Sequence, residues 1–212
     1  MTQSNISSTI SPSIGSLVKL SLQVLIRPSE RLFRAGSQVN SLIISSQLTI
    51  WIASSVILGW LYRMLNPIHV PETNNSIHIN VSLLQQFSLT SSLGMVIIIP
   101  LVFLIDTGII YSLARRSGGV ASFREQCASM LLFITPLGIF NGIVAFVPYL
   151  GSVIVILCFV YGIILQIKAV SAVHNLPPEK AIGPVLLPLV VLFMLGCVFS
   201  VVFLGILITA AR

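Results

Sequence analysis

The chain has 212 residues, of which 56% are hydrophobic and only 8% are charged, and its mean hydropathy is +1.04. Soluble domains carry about 25% charged residues, so this composition excludes a soluble globular protein that covers its own core with polar surface. The net charge of +6 comes from basic residues in short segments between apolar runs, without interleaved aromatic residues. This pattern indicates topology signals and contacts with anionic lipid headgroups, and argues against nucleic-acid binding.

The first 40 residues predict a cytoplasmic tail followed by amphipathic helices in the membrane interface. Apolar residues recur at helical spacing in a run too short to span a bilayer. These residues are Ile14, Leu17, Val18, Leu22 and Leu25. Pro28 ends this predicted helix, and a second short helix follows at residues 30–34, with Ser29 as its N-cap and Gly36 as its stop.

Five longer apolar runs predict transmembrane helices, because each has about the 20 residues needed to cross a bilayer. The predicted spans are residues 42–61, 93–114, 127–147, 152–172 and 185–209. A capping-box pattern, Ser122 followed by Glu125, precedes the third span. The predicted fold is therefore an all-α, polytopic helical membrane protein with five transmembrane helices and an N-terminal interfacial amphipathic helix. Residues 1–40 would form the N-terminal part and residues 41–212 the membrane domain.

Basic residues are distributed unequally between the two sides of this predicted topology. One side collects Lys19, Arg27, Arg31, Arg34, Arg115, Arg116, Arg124, Lys168 and Lys180, whereas the other has Arg63 and Arg212. By the positive-inside rule, the N-terminus is predicted to be cytoplasmic and the C-terminus extracytoplasmic. The arginines of the first group, with Lys168 and Lys180, form a predicted basic face for anionic headgroups.

Asp106 is the acidic residue within the predicted spans. It precedes Arg115 by nine residues, which corresponds to a depth of about 13 Å, where an ionised carboxylate is costly unless it is paired. Thr135 on the third span and Tyr161 on the fourth are predicted at a similar depth, which makes them candidate polar neighbours of Asp106. Asn141 is predicted further from the cytoplasmic side. Two interpretations stay open: a proton- or ion-linked binding pocket, or a buried polar clasp that fixes helix packing.

No pattern in the sequence predicts an enzyme, a metal site or a cofactor. The cysteines at positions 127, 158 and 197 lack metal-ligand spacing, and so do the histidines at positions 69, 78 and 174. His174 is expected at the cytoplasmic interface, in contact with lipid or capping a helix. Neither a nucleophile elbow nor a phosphate-binding loop is present in the sequence.

Several segments carry a resemblance to a known family. They are Arg-Pro-Ser-Glu-Arg-Leu-Phe at 27–33, Gly-Gly-Val-Ala-Ser-Phe-Arg-Glu at 118–125, Pro136, Tyr161-Gly162, and His-Asn-Leu-Pro-Pro-Glu-Lys-Ala at 174–181. In order and spacing they resemble the YIP-domain family, the Ypt/Rab-interacting group of five-span membrane proteins, over about residues 25–207. The resemblance implies five spans and a cytoplasmic N-terminus. Eukaryotic members act in vesicle traffic between ER and Golgi, and bind Rab-type GTPases and one another.

The chain also departs from the eukaryotic members. It lacks their Asp-Leu-Tyr-Gly-Pro signature and their long cytoplasmic N-terminal segment, which argues against binding of a small GTPase. The short N-terminus resembles the prokaryotic branch, and predicts the bacterial plasma (inner) membrane, or ER and Golgi for a eukaryotic protein.

Two hypotheses of function follow. The first is a non-enzymatic membrane protein that organises membranes or assembles partners, either other membrane proteins or copies of itself, through helix contacts and its basic cytoplasmic face. The alternative is a small transporter, channel or lipid-translocating protein built around Asp106. A midplane acid and spans interrupted by Pro100, Pro136 and Pro188 are typical of such sites.

Overall fold

A computed structural model describes residues 14–38, 41–66, 81–147 and 149–210, and within these ranges the secondary structure is entirely helical. The seven helices there are α1 (Ile14–Ile26), α2 (Glu30–Ser37), α3 (Ser41–Leu65), α4 (Val81–Arg116), α5 (Phe123–Val144), α6 (Leu150–His174) and α7 (Pro178–Ala210). The all-α prediction is thereby confirmed.

Four segments in the described ranges are long and apolar enough to cross a membrane: α3, residues Val96–Arg116 of α4, α5 and α6. The fifth predicted span, 185–209, falls within the 33 residues of α7. The structure thus confirms a polytopic helical membrane protein. Helix α4 begins at Val81, twelve residues before the span predicted at 93. Hydropathy identifies only the apolar part of a helix, whereas backbone hydrogen bonds between residues four apart also form in its more polar first turns.

Helix α5 is the centre of the bundle and contacts α1, α2, α3, α4 and α6. Burial shows the same arrangement, since 44% of the α5 span is buried, against 6% to 17% of the other three identified spans. Met130, Leu131 and Leu132 of α5 are fully buried against Leu165 and Ala169 of α6. Large apolar side chains elsewhere on the spans are exposed, which suits a surface solvated by lipid.

The two N-terminal helices join this core. Val24 of α1 and Phe33 of α2 are fully buried in the same cluster as the α5 and α6 residues. Phe33 packs edge-to-face on Phe133, with ring centroids 6.3 Å apart. Helix α1 is amphipathic, as expected, but its apolar residues are divided between two surroundings. Leu17 and Val24 are buried against the bundle, whereas Val18 and Leu22 are exposed.

Close approach of α2 to α5 depends on Gly36, the residue predicted to stop the helix. A Cβ atom added there would lie 3.0 Å from Cγ of Leu132 and overlap its side chain. The helix continues one residue further, to Ser37. Ser29 occupies the predicted N-cap position, although its side chain makes no capping hydrogen bond.

One end of the bundle, here called the basic end, holds the α4–α5 and α6–α7 connections. It includes the C-termini of α4 and α6, and the N-termini of α5 and α7. Arg115, Arg116, Arg124 and Lys180 are exposed there.

Candidate functional site

The connection from α4 to α5 at the basic end is held by local hydrogen bonds at both helix ends. The amide of Gly119 donates to the carbonyl of Ala114 at 2.9 Å, and that of Gly118 donates to Arg115 at 3.1 Å. These are the paired bonds of a Schellman motif, and Gly118 supplies the required positive φ of 96°. The chain therefore reverses tightly directly after α4.

The predicted capping box opens α5 and is confirmed. The backbone amide of Ser122 donates to the Glu125 carboxylate at 2.7 Å, and the amide of Glu125 donates to the Ser122 hydroxyl at 3.3 Å. Two otherwise unpaired amides of the first turn are satisfied in this way, which is worth about 1 kcal/mol for the cap alone.

Helix α6 ends in a similar C-terminal capping motif. Asn175 has a left-handed backbone with φ of 54°, and the amide of Leu176 donates to the carbonyl of Ser171 at 3.0 Å. The Ser171 hydroxyl donates to the Leu176 carbonyl at 2.7 Å. Pro177 follows, so the helix cannot continue. His174, the last residue of α6, is thereby fixed in position.

His174 joins α6 to α5 and, through α5, to α4. Its Nε2 atom lies 2.7 Å from the side-chain oxygen of Gln126, and the Gln126 amide nitrogen donates to the Thr107 carbonyl at 3.1 Å. The Gln126 nitrogen donates to a carbonyl, so the Gln126 oxygen is the atom that faces His174. An amide oxygen only accepts hydrogen bonds, and His174 must therefore carry its proton on Nε2. The carbonyl of His174 accepts from the amide of Val120 at 3.4 Å. We call these four residues the histidine clasp.

Three of the four clasp residues are buried and closely packed. His174 and Thr107 are each 1% exposed and Gln126 is fully buried. The Nδ1 atom of His174 is buried without a hydrogen-bond partner. Gly119 lies so close to the imidazole that an added Cβ would be 2.8 Å from both His174 Cγ and the Ala114 carbonyl oxygen. His174 is therefore an internal connector, whereas the sequence had suggested lipid contact or capping.

Three of the segments that carry the family resemblance meet at this place. Residues 118–125 contain Val120 of the histidine clasp and end directly before Gln126, and residues 174–181 begin with His174. The 27–33 segment leads into Arg34, whose Nε donates to the Ala172 carbonyl at 3.0 Å. These three motifs thus encode one packed region at the basic end, whereas Pro136 and Tyr161-Gly162 lie within α5 and α6. Thr107 and Gln126 were missed by sequence reasoning, although a glutamine beside an apolar run is a usable signal of a buried partner.

Asp106 lies on a second feature, an open pocket of about 340 Å³ among the membrane spans, here called the Asp106 cavity. Its carboxylate accepts a hydrogen bond from Nε2 of Gln166 on α6 at 3.3 Å. Asn141 of α5 lines the same cavity, and its side-chain oxygen is buried without a partner. Leaving such an acceptor unpaired costs about 1–3 kcal/mol.

The other two residues nominated with Asp106 lie elsewhere. The Thr135 hydroxyl donates to the Gln47 carbonyl at 3.5 Å, in a groove of about 360 Å³ between α1, α3 and α5. The Tyr161 hydroxyl donates to the carbonyl of Leu25 in α1. Depth along a helix does not say which side a residue occupies, and six residues at about 100° each rotate Thr135 well away from Asn141. Gln166 was missed because it lies five residues, about 7.5 Å along α6, beyond the depth-matched Tyr161.

The basic residues nominated for headgroup contact are spread over the surface. Arg115, Arg116, Arg124, Lys168 and Lys180 are exposed. Arg27 and Arg31 line an open groove of about 520 Å³ between α1 and α2. Arg34 forms an ion pair with Glu30 at 3.4 Å in addition to its bond to Ala172. In the described ranges, no group of three or more His, Cys, Asp or Glu residues is arranged to hold a metal ion.

The profile of the Yip1 domain family matches residues 22–208. The match begins within α1, includes all of α2 to α6 and extends almost to the end of α7. The domain boundary expected at residue 40 stays a prediction. No curated protein and no solved structure shows significant similarity to the chain. The chain is therefore an integral membrane protein that belongs to the Yip1 domain family.

Proposed function

We propose that this protein is a non-enzymatic membrane-organising or assembly factor that acts through its basic end. One observation carries the proposal: the histidine clasp fastens the α4–α5 connection to the end of α6. Exposed cationic side chains next to the clasp, such as Arg115 and Arg116, are therefore presented on a fixed support. A fixed charged surface recognises a partner at a lower entropic cost than mobile loops do.

The basic end would face the cytoplasm. Positive loops are retained on that side of bacterial plasma membranes, and each Lys or Arg close to an anionic surface contributes about 1 kcal/mol of attraction. This orientation puts the N-terminus in the cytoplasm and the C-terminus outside. The bacterial plasma membrane is the proposed location.

The proposed partners are anionic lipids together with another membrane protein or a second copy of the chain. Val120 is 66% exposed and lies between the exposed Arg115 and Arg116 and the start of α5. An exposed apolar side chain close in the chain to exposed cations suits a partner that has both apolar and acidic groups. The exposed apolar faces of the spans offer further surface for helix–helix contacts.

Extraction in polymer nanodiscs, with and without mild crosslinking, tests this proposal. We expect anionic lipid and a crosslinked protein, or a homo-oligomer, to co-purify with the parent chain. The double variant Arg115→Gln/Arg116→Gln should lose both, whereas Arg63→Gln at the opposite end should lose neither. Equal lipid composition and no crosslinked species in all three proteins would contradict the proposal.

A second candidate function, a small transporter or lipid-translocating protein, is favoured by the cavity that contains Asp106, Asn141 and Gln166. Polar groups inside a membrane commonly mark a transport pathway. Asp106→Asn should abolish ion or lipid flux in reconstituted vesicles, whereas Ser112→Ala, an exposed hydroxyl on the same helix, should not. Equal flux by the parent and Asp106→Asn, or no flux by the parent, would end this idea.

A further inference from the structure

The polar groups of the Asp106 cavity are short of hydrogen-bond donors. An ionised carboxylate offers about four acceptor positions, and the hydrogen bond described for Asp106 comes from Gln166. Asn141, elsewhere in the lining, has a buried side-chain oxygen without a hydrogen-bond partner. In a hydrocarbon environment water does not supply the missing donors, so a bound group that carries several N–H bonds would satisfy the Asp106 carboxylate.

The charge of the cavity lining also favours a cationic ligand. Its described lining contains one acidic side chain, Asp106, and no Lys, Arg or His. The remaining wall is largely apolar and includes the rings of Trp51, Phe133 and Phe159. A cation is attracted both to a carboxylate and to an aromatic face, and the rest of its molecule would contact the apolar wall.

We propose that this cavity binds a hydrophobic amine, with its protonated primary ammonium group donating to Asp106. A volume of about 340 Å³ is at the small end of the usual range for ligand pockets. An aminophospholipid also carries an ammonium group, but it brings a phosphate that no cation in the described lining could neutralise. The cavity therefore favours a singly charged amine. This inference does not depend on the assembly role, nor does it require transport.

The chain provides its own reporter for a binding experiment. It has two tryptophans, of which Trp51 lines the cavity and Trp60 does not. In a Trp60→Phe protein, reconstituted in lipid nanodiscs, Trp51 fluorescence would be titrated with bromine-labelled dodecylammonium. Bromine-labelled dodecanoate and phosphatidylethanolamine with brominated acyl chains would be titrated in parallel, and Trp51→Phe, which retains Trp60, would report collisional quenching.

Saturable quenching of Trp51 by dodecylammonium is expected, with only linear quenching by the other two probes and in Trp51→Phe. Asp106→Asn should raise the half-saturating concentration about tenfold, because a charge-assisted hydrogen bond is replaced by a neutral one. Ser112→Ala should leave it unchanged. Circular dichroism of each variant would establish that it is folded.

Two results would overturn the inference. One is Trp51 quenching that rises linearly with the ammonium probe, or that saturates at the same probe concentration in Asp106→Asn and in the parent. The other is tighter saturable binding of the aminophospholipid, which would assign the site to a lipid headgroup. Because neither outcome involves crosslinking or flux, failure here is distinguishable from failure of the proposed function.

Discussion

The side-chain oxygen of Gln126 and the Nε2 atom of His174 lie 2.7 Å apart in a buried contact between residues 48 positions apart in the chain. Gln126 starts one span and His174 ends the next. Since the same glutamine also donates to Thr107 of α4, a single side chain fixes the relative positions of three membrane helices. Stability of the basic end should therefore depend on it.

His174→Ala should lower the free energy of unfolding by about 2–4 kcal/mol, because it leaves the Gln126 oxygen buried without a donor and opens a space beside Gly119. His174→Gln keeps an N–H donor at nearly the same distance from the backbone and should lose about half as much. Thermal unfolding followed by circular dichroism would measure both. Equal midpoints for His174→Ala and the parent would show that the contact contributes nothing.

Gly119→Ala and Gly59→Ala should change stability in opposite directions. An added methyl at Gly119 collides with the His174 ring and the Ala114 carbonyl, at a cost of about 1–3 kcal/mol. At Gly59, within α3, no neighbouring element lies within 4 Å of the added atom, so alanine should stabilise the helix by about 0.5–1 kcal/mol. The same unfolding measurement compares them, and a stabilising Gly119→Ala would refute the close packing.

Arg34→Ala should loosen α2 without unfolding the protein. The variant loses the bond to the Ala172 carbonyl, but half of the Arg34 side chain is exposed, so the loss should stay below about 1 kcal/mol. Hydrogen exchange of the α2 amides should accelerate several-fold. Arg31→Ala, one turn earlier on an exposed position, serves as the control and should leave exchange unchanged.

Cysteine labelling would test the proposed orientation. In a protein with the native cysteines at 127, 158 and 197 replaced, a cysteine would be introduced at Val120 or at Tyr149, which are 66% and 93% exposed. An impermeant maleimide added to intact cells should label Tyr149→Cys at once and Val120→Cys only after permeabilisation. The reverse result would invert the topology and remove the basis for the anionic-lipid proposal.

The helices themselves were predictable because their signals are local. Apolar runs of sufficient length identify spans, and the Ser122–Glu125 capping box is complete within four residues. The depth of Asp106 in the membrane stays a prediction. Its neighbour Gln166 was not predictable from depth matching, since Gln166 lies five residues, about 7.5 Å along α6, from the matched residue Tyr161.

Long-range contacts account for the other differences. The apolar face of α1 predicts burial against either lipid or protein, and periodicity does not distinguish the two. In the structure about half of that face packs in the core of the bundle. His174 was placed correctly at a helix end. Its burial depends on Gln126 and Gly119, whose approach is visible only once α4, α5 and α6 are assembled.

The packing of α1 and α2 has a consequence for biosynthesis. Their partners in α6 lie 136 and 138 positions later, at Tyr161 and Ala172. A ribosome adding about 5–20 residues per second needs roughly 7–28 s to make that length of chain. Throughout this interval Val24 and Phe33 have no α6 to bury them, so the nascent N-terminal helices must wait on the bilayer surface or on a chaperone. Insertion of the later spans, not of the first, would then be the step that completes the fold.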